Sequence, residues 1–474
     1  MKKSGEVRLM NGSHFVTGIG LALSLGASNA FAQSGEIAVK KYDSGGVYEG
    51  EFKDGKQHGQ GTFTLPGGYE YTGNWVEGRI EGQGMVKYPN GSVYTGEFRD
   101  GAPNGKGKIV YSDGGTYEGD WATGVIEGTG VAEYANGARY EGEFKQSAHH
   151  GRGVLTRPNG YRYEGDWVEG SSDGEGTVTY PDGSTYTGSF VKGVREGSGT
   201  ITLPDGYTYT GTWTGGQISG NGTASYANGD TYEGEFVDGE RQGNGIARYA
   251  NGDVYEGSFL ASKRHGQGML IAANGDIYEG EWIEGRFEGE GKATLADGRV
   301  LEGTFENSAI SGKGRMTTPD GGVYEGDWVD GAMQGQGEFR YANGAVYTGT
   351  FTDGRITGTG KIVYADGYEY EGEWLNDLPH GQGEARFPDG GVYIGEFAAG
   401  RRNGTGKFTQ ADGFVYDGAW VDNRIEGPGT AIYINGNIYK GMFKDNKRHG
   451  RGEMTFANGA VYDGEWVNGQ RSTE

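Results

Sequence analysis

Seven histidines offer the first chemistry to weigh in this 474-residue chain. His58, His150, His265, His380 and His449 all stand at one position of a recurring pattern, His149 is beside His150, and His14 lies near the N-terminus. Imidazole is the commonest metal ligand and a ready general base, so spacing decides whether either role is open. The nearest like-placed pair is three periods apart. With two strands per period at about 4.8 Å each, that puts them roughly 30 Å apart, too far to share a metal ion. His149-His150 is the one adjacent pair, and both read as polar loop residues. Carboxylates also recur two residues apart, as in Glu141 with Glu143 and Glu233 with Glu235. Two acids on one strand face resemble a glycosidase pair or a cation site, but pairs in most periods read as a solvated face. The recurring Gly-x-Gly lacks the lysine pattern and following helix of a phosphate loop. Cysteine is absent, which removes disulfides, thiolate nucleophiles and cysteine zinc sites. No unique constellation stands out, so the expectation is a protein without catalytic activity, cofactor or metal.

Ninety-nine glycines exclude long helices, because each glycine costs a helix up to about 1 kcal/mol. An aromatic content of 13%, with 32 tyrosines, is far too rich for a disordered linker. Lys2, Lys3 and Arg8 precede an apolar run from Phe15 to Leu25, then Ala30-Phe31-Ala32. That is the layout of a secretory signal, with cleavage expected after Ala32 and Ala30 as the second small residue. Residues 1–32 are expected to be removed, and the product to be periplasmic, secreted or held at the cell surface. The remaining chain carries 39 bases against 64 acids, a net charge of −25. Nucleic acid is not expected as a partner, nor an electrostatic hold on an anionic membrane.

From Tyr48 onward a 23-residue pattern recurs without insertion or deletion, giving eighteen full repeats over 48–461 and a half repeat with a tail over 462–474. Such a period means a stacked repeat architecture. Position 1 is Tyr except at Leu301, position 3 is Gly, position 5 is Trp or Phe, and positions 12, 14 and 21 are Gly. The structural core is represented by Tyr71, Gly73, Trp75, Gly82 and Gly84, then by Tyr94, Phe98, Trp121 and Trp374. Alternation around positions 1–5 and 14–18 predicts two strands per repeat, joined by a loop. Residues 33–47 read as a lead-in strand ending at Tyr42, with a turn at Ser44-Gly45.

Parity fixes the turn between repeats. A two-residue Asn-Gly turn would put position 16 on the face opposite the next tyrosine. A three-residue turn, type I closed by a left-handed glycine, pairs 18 with 22 and 16 with the next position 1, and explains Pro at 19. The same register aligns Gly 3 with Gly 14 and the aromatic at 5 with Gly 12. The bare glycine row is expected to let the sheet bend and fold its aromatic rows together. All nine tryptophans sit at position 5, mostly alternating with Phe, and position 16 tends to be small in Trp repeats and large in Phe repeats. That pattern predicts core rings with volumes compensated inside each repeat. The alternation slips at Phe236 and Phe259, and Leu301 breaks position 1, so 236–316 is expected to be the weakest stretch.

Tyr370-Glu371-Gly372-Glu373-Trp374 followed by His380-Gly381-Gln382-Gly383 resembles the MORN repeat. The resemblance covers residues 48–474. It implies an all-β, elongated single-layer solenoid of antiparallel hairpins, one per repeat, and proteins that mostly serve as scaffolds or as membrane-linked modules. The expected function is a non-catalytic exported scaffold that presents a long acidic surface to protein partners, with self-association through open edge strands. The alternative is a module that binds cell-envelope glycan or lipid through tyrosines at positions 18 and 22, with Tyr69, Tyr161, Tyr207 and Tyr368 as the contacts.

Overall fold

The computed structural model describes residues 37–472. The expected export signal, with Ala30 and Ala32, lies outside the described residues. Those residues form two compact units, 37–239 and 240–472, each all-β. The first contains eighteen strands, from Ile37–Lys41 to Thr231–Val237, and the second twenty-one, from Glu240–Arg248 to Gln470–Arg471. Within each unit every strand pairs antiparallel with its chain neighbour, two strands per repeat. No helix among the described residues is long and apolar enough to cross a membrane.

The first repeats show the rule. Strand β1 (Ile37–Lys41) pairs with β2 (Val47–Lys53), so the lead-in strand and its turn form as expected. Strand β3 (Lys56–Leu65) then pairs with β4 (Tyr69–Val76) through Gly59 with Trp75, Gly61 with Gly73, Phe63 with Tyr71 and Leu65 with Tyr69. That is the register parity demanded. The three-residue turn is also as expected. At the next boundary the Gly91 N–H donates to the Tyr88 carbonyl (2.9 Å) and the Tyr88 N–H to the Ser92 carbonyl (2.8 Å). Gly91 takes φ +89°, which only glycine adopts cheaply. Asn90, at position 20, accepts the Ser92 N–H on its side-chain oxygen at 2.9 Å, which accounts for the run of Asn and Asp there.

The other turn, a loop by its sequence, is tight. Between β4 and β5 (Arg79–Lys87), Val76 pairs with Arg79, leaving Glu77 and Gly78 as a two-residue turn with φ +48° and +88°. Two left-handed residues make a type I′ turn, whose twist matches that of the strands. Asp54-Gly55, Asp100-Gly101 and Glu284-Gly285 repeat the signal in the sequence. Where position 8 is not glycine, its side chain joins neighbouring repeats. Ser147 Oγ accepts the Ile126 N–H (3.2 Å) and Asp377 Oδ1 the Ile356 N–H (2.8 Å).

A bulge separates the two halves of each hairpin. Between β4 and β5, Gly73 faces Gly84 but Trp75 faces Ile80, so three residues oppose one. Gly82 takes up the mismatch at φ +74°. The aromatic at position 5 therefore lies beside position 10 of its own repeat. Large position-16 side chains reach the next repeat, with Phe63 6.2 Å from Trp75 and Phe408 6.3 Å from Trp420. The compensation expected inside a repeat is thus not a contact across one hairpin, since position 16 faces position 1 and position 5 faces position 10.

Candidate interaction surface

Tyrosine at position 1 is the keystone of the packing. The Tyr48 ring lies over the glycine row, its hydroxyl donating to the Glu51 carbonyl at 2.9 Å, and Tyr71 and Tyr94 repeat the bond to Asn74 and Glu97. A Cβ at Gly84 would stand 2.4 Å from the Tyr71 hydroxyl, and one at Gly107 2.1 Å from that of Tyr94. The bare row exists to receive these rings. In the regular repeats each tyrosine then meets the position-5 ring of its own repeat and of the next edge to face, as Tyr94 does with Phe98 (5.1 Å) and Trp121 (5.0 Å). The indole N–H closes the layer, with Trp75 Nε1 donating to the Gly61 carbonyl (3.3 Å) and Trp121 Nε1 to that of Gly107 (3.1 Å). All nine tryptophans are between 2 and 6% exposed, so the expected core rings, Trp374 included, are core. Burial raises the Tyr48 phenol to about 12.

Position 10 carries a variable lid that sequence reasoning missed. In several repeats it is arginine, set over the tryptophan of the following repeat. The guanidinium carbon of Arg195 lies 4.2 Å from the Trp213 ring, that of Arg402 4.3 Å from Trp420 and that of Arg448 4.2 Å from Trp466. Arg195 and Arg448 also donate to the Gly216 and Gly469 carbonyls, at 2.8 and 2.7 Å. The signal in the sequence was an Arg standing eighteen residues before a Trp. In one repeat the lid is His149, stacked on Tyr140 at 3.6 Å with its Nε2 2.6 Å from the Tyr134 hydroxyl. Burial lowers its pKa to about 4. His150, at the next position, directs its carbonyl toward the Tyr140 hydroxyl.

The recurring acids divide by position. Those at position 4 accept the backbone N–H that the bulge leaves over, as Glu51 does from Gln60 (3.0 Å), Glu143 from Arg152 (3.0 Å) and Asp120 from Thr129 (2.9 Å). Acids at position 11, where other repeats carry histidine, accept from the next type I′ turn. Glu81 takes the Asp100 N–H (3.1 Å) and Glu127 that of Gln146 (2.9 Å). Among the described residues no three His, Asp or Glu side chains gather into a metal site.

Along the three-residue turns of the first unit runs a second aromatic row. It is supplied by Tyr69, Tyr161 and Tyr207 at position 22, and by Tyr88, Tyr111, Tyr134, Tyr180 and Tyr226 at position 18. Each turn between repeats in that unit bears one ring, on one strand or the other. Tyr111 and Tyr134 are 37 and 40% exposed, and the others are half-buried. The expected contacts Tyr69 and Tyr161 lean edge-on against Tyr88 (6.4 Å) and Tyr180 (6.3 Å), and Tyr207 is tilted against Tyr226 (5.4 Å). In the second unit Tyr368 sits between Tyr364 (5.6 Å) and Phe387 (5.4 Å).

Part of the second unit departs from the rule. The slip at Phe236 and Phe259 leaves the tyrosines in place, since Tyr232 and Tyr255 still donate to the carbonyls of Glu235 and Ser258, each at 3.1 Å. Tyr278 does not. Its hydroxyl lies 3.4 Å from Asp276 Oδ2, and Phe287, from position 10, fills the slot over Gly280 and Gly291. In the next repeat Leu301 replaces the tyrosine, Ile310 reaches over Gly314, and Trp328 Nε1 is buried without a partner. The irregular part of the expected weak stretch is therefore 278–316.

These features define a class, a β-hairpin repeat array with an aromatic ladder on a glycine row. The chain belongs to the MORN repeat family, whose motif matches nineteen times, from residues 48–68 to 462–472. Such arrays serve as repeat scaffolds and interaction modules. No characterised protein sequence matches the chain. Solved structures resemble it only slightly. The TCP10 domain of Danio rerio CPAP, in complex with a peptide of Danio rerio STIL, is 19% identical over 48% of this chain and 96% of its own, with a TM-score of 0.20. The G-box domain of the microcephaly protein CPAP is 17% identical over 48% and 100%, at 0.21. A streptogramin B lyase is 13% identical over 63% and 92%, at 0.12. Likenesses this slight carry no argument about this chain.

Proposed function

We propose that this chain is an exported, non-catalytic scaffold that presents an acidic surface to protein partners. The observation that carries the reading is how the repeated residues are used. Tyr 1, Gly 3, the aromatic at 5 and the glycines at 12, 14 and 21 are taken up by packing, bulge and turn, as are the acids where position 4 carries one. What varies from repeat to repeat is the lid at position 10 and the outer face, at positions 2, 4, 13, 15 and 17. A rigid lattice with a variable exterior is how repeat proteins build addressable binding surfaces. The net charge after signal removal favours basic or neutral partner faces and disfavours anionic ones.

Cross-linking in intact producing cells, followed by purification of a tagged chain, tests this. A stoichiometric protein partner supports the scaffold, and an N-terminus at Gln33 supports export. Recovery of the chain with envelope glycan or lipid favours a module acting through the half-exposed tyrosines of the turns. Intact Met1 on the recovered chain removes export from the proposal.

A further inference from the structure

In most repeats the outer face of the sheet carries charge. Position 15 of one repeat stands opposite position 2 of the next, and the two pair ions as Lys108 with Glu118 (3.2 Å), Lys292 with Glu302 (3.8 Å) and Arg315 with Glu325 (3.4 Å). One stretch of the first unit is different. From strand Ser171–Thr179 to strand Gln217–Ser225, positions 15 and 2 carry Thr177, Thr187, Thr200, Thr210 and Thr223, each opposite the next. A second row, two residues along the strands, runs from Thr179 to Ser225 with a hydroxyl residue opposite a hydroxyl residue at every step. All of these side chains are exposed or half-exposed. Charge resumes at both borders, with the Arg162–Glu164 pair beside one end and Glu233 opposite Thr223 at the other. Threonine suits a strand, but the ion pairs show that the fold accepts charge at these same positions.

We propose that this threonine field is an ice-binding face. The proposal goes beyond the scaffold reading and does not depend on it. Three observations select ice. The first is neutrality in a chain of net charge −23. An ice lattice rejects ions, and a charged side chain keeps water of hydration where lattice water would have to sit. The second is the hydroxyl array. Thr177 and Thr187 hold their Oγ1 atoms 3.0 Å apart, and Thr200 and Thr210 hold theirs 2.9 Å apart. Those are hydrogen-bonded separations, as between neighbouring oxygens in ice. Each bonded pair keeps one donor and three acceptor sites for water. Branching at Cβ stiffens the side chains, so the array is set before ice arrives. The third is what the rows lack. Neither carries an aromatic ring or a cation. That leaves no anchor of the kind on which protein interfaces centre, no ring for a sugar to stack on, and no positive charge for nucleic acid or anionic lipid.

A single ice crystal cooled slowly in a solution of the whole chain tests the face. The chain should hold the crystal without growth through a window below its melting point, and give it facets. Thr200→Lys with Thr210→Glu copies the Lys108–Glu118 arrangement onto the field, so the fold holds a precedent for it. That variant should narrow the window at least tenfold at equal concentration, with the circular dichroism unchanged. Lys108→Thr with Glu118→Thr, off the field, should leave the window as wide. Growth as in buffer alone, or a window indifferent to the Thr200 and Thr210 substitutions, would overturn the face. So would a dimer that those substitutions abolish and that forms with no freezing window, which would give the field to a second copy. None of those results touches the scaffold reading, whose test is the cross-linked partner.

Discussion

A single added methyl group separates two uses of glycine in this chain. At Gly107 a Cβ would collide with the Tyr94 phenol, which its bond to Glu97 holds in place. Gly107→Ala is expected to cost about 3 kcal/mol as overpacking of a rigid core. At Gly114 nothing lies within 4 Å but φ is +90°, so Gly114→Ala should cost only the left-handed penalty of about 1 kcal/mol. Urea unfolding midpoints of the two variants check the order. His149 gives a second test. Its folded pKa of about 4 lies below the usual 6.5, so the unfolded chain binds the extra proton between those values. The contribution is complete above about pH 6.5 and lost as pH falls toward 4, by about 3 kcal/mol in total. A His149→Phe chain should show a flatter stability profile through that window. The keystone role of Tyr 1 was legible because it recurs every 23 residues with the single exception of Leu301. The lid at position 10 was not, since Ile, Pro, Arg, His and Phe share only their place beside the ring, which the unforeseen bulge sets.

Each hairpin owes its register to two turns of different kinds, and only one of them is legible from parity. The three-residue turn followed from parity, because apolar 16 had to share a face with the next tyrosine. The type I′ turn was as plain in its X-Gly pairs, but interspersed Ser, Asn and Asp at position 8 concealed it. The exchange at Tyr278 was beyond sequence reasoning altogether. It depends on Asp276 and Phe287 competing for one phenol and one slot, a contest between positions 22 and 10. Where phenylalanine and isoleucine stand in for tyrosine, the hydroxyl bond to position 4 is lost and Trp328 Nε1 goes unpaired. Backbone amides of 278–316 should therefore exchange with deuterium ahead of the regular strands at 94–144. Equal protection in both stretches would show that ring replacement leaves the ladder as strong.

Across the whole molecule the fold rests on phenols that must stay protonated. Burial raises Tyr48, Tyr186, Tyr255 and Tyr324 to about 12, against 10 in an unfolded chain. Their stabilisation is complete below pH 10 and falls as pH rises through 10 toward 12, because only the unfolded chain ionises there. Tyrosinate absorbance and loss of β-structure should therefore appear together in one steep alkaline transition. A set of independent titrations near pH 10 would contradict it. The turns hold a slower chemistry. Asn-Gly is the dipeptide most prone to losing ammonia, as the glycine nitrogen attacks the asparagine amide. Here that nitrogen is engaged, the Gly91 N–H donating to the Tyr88 carbonyl, and the Asn90 side-chain oxygen is held by Ser92. Hydrolysis that does occur yields an aspartate. That residue already closes other turns, where Asp182 accepts the Ser184 N–H at the same 2.9 Å. An event that takes this direct route keeps the form of the turn and leaves one more negative charge on its surface, whereas opening of a succinimide would give mainly isoaspartate and lengthen the turn by one methylene.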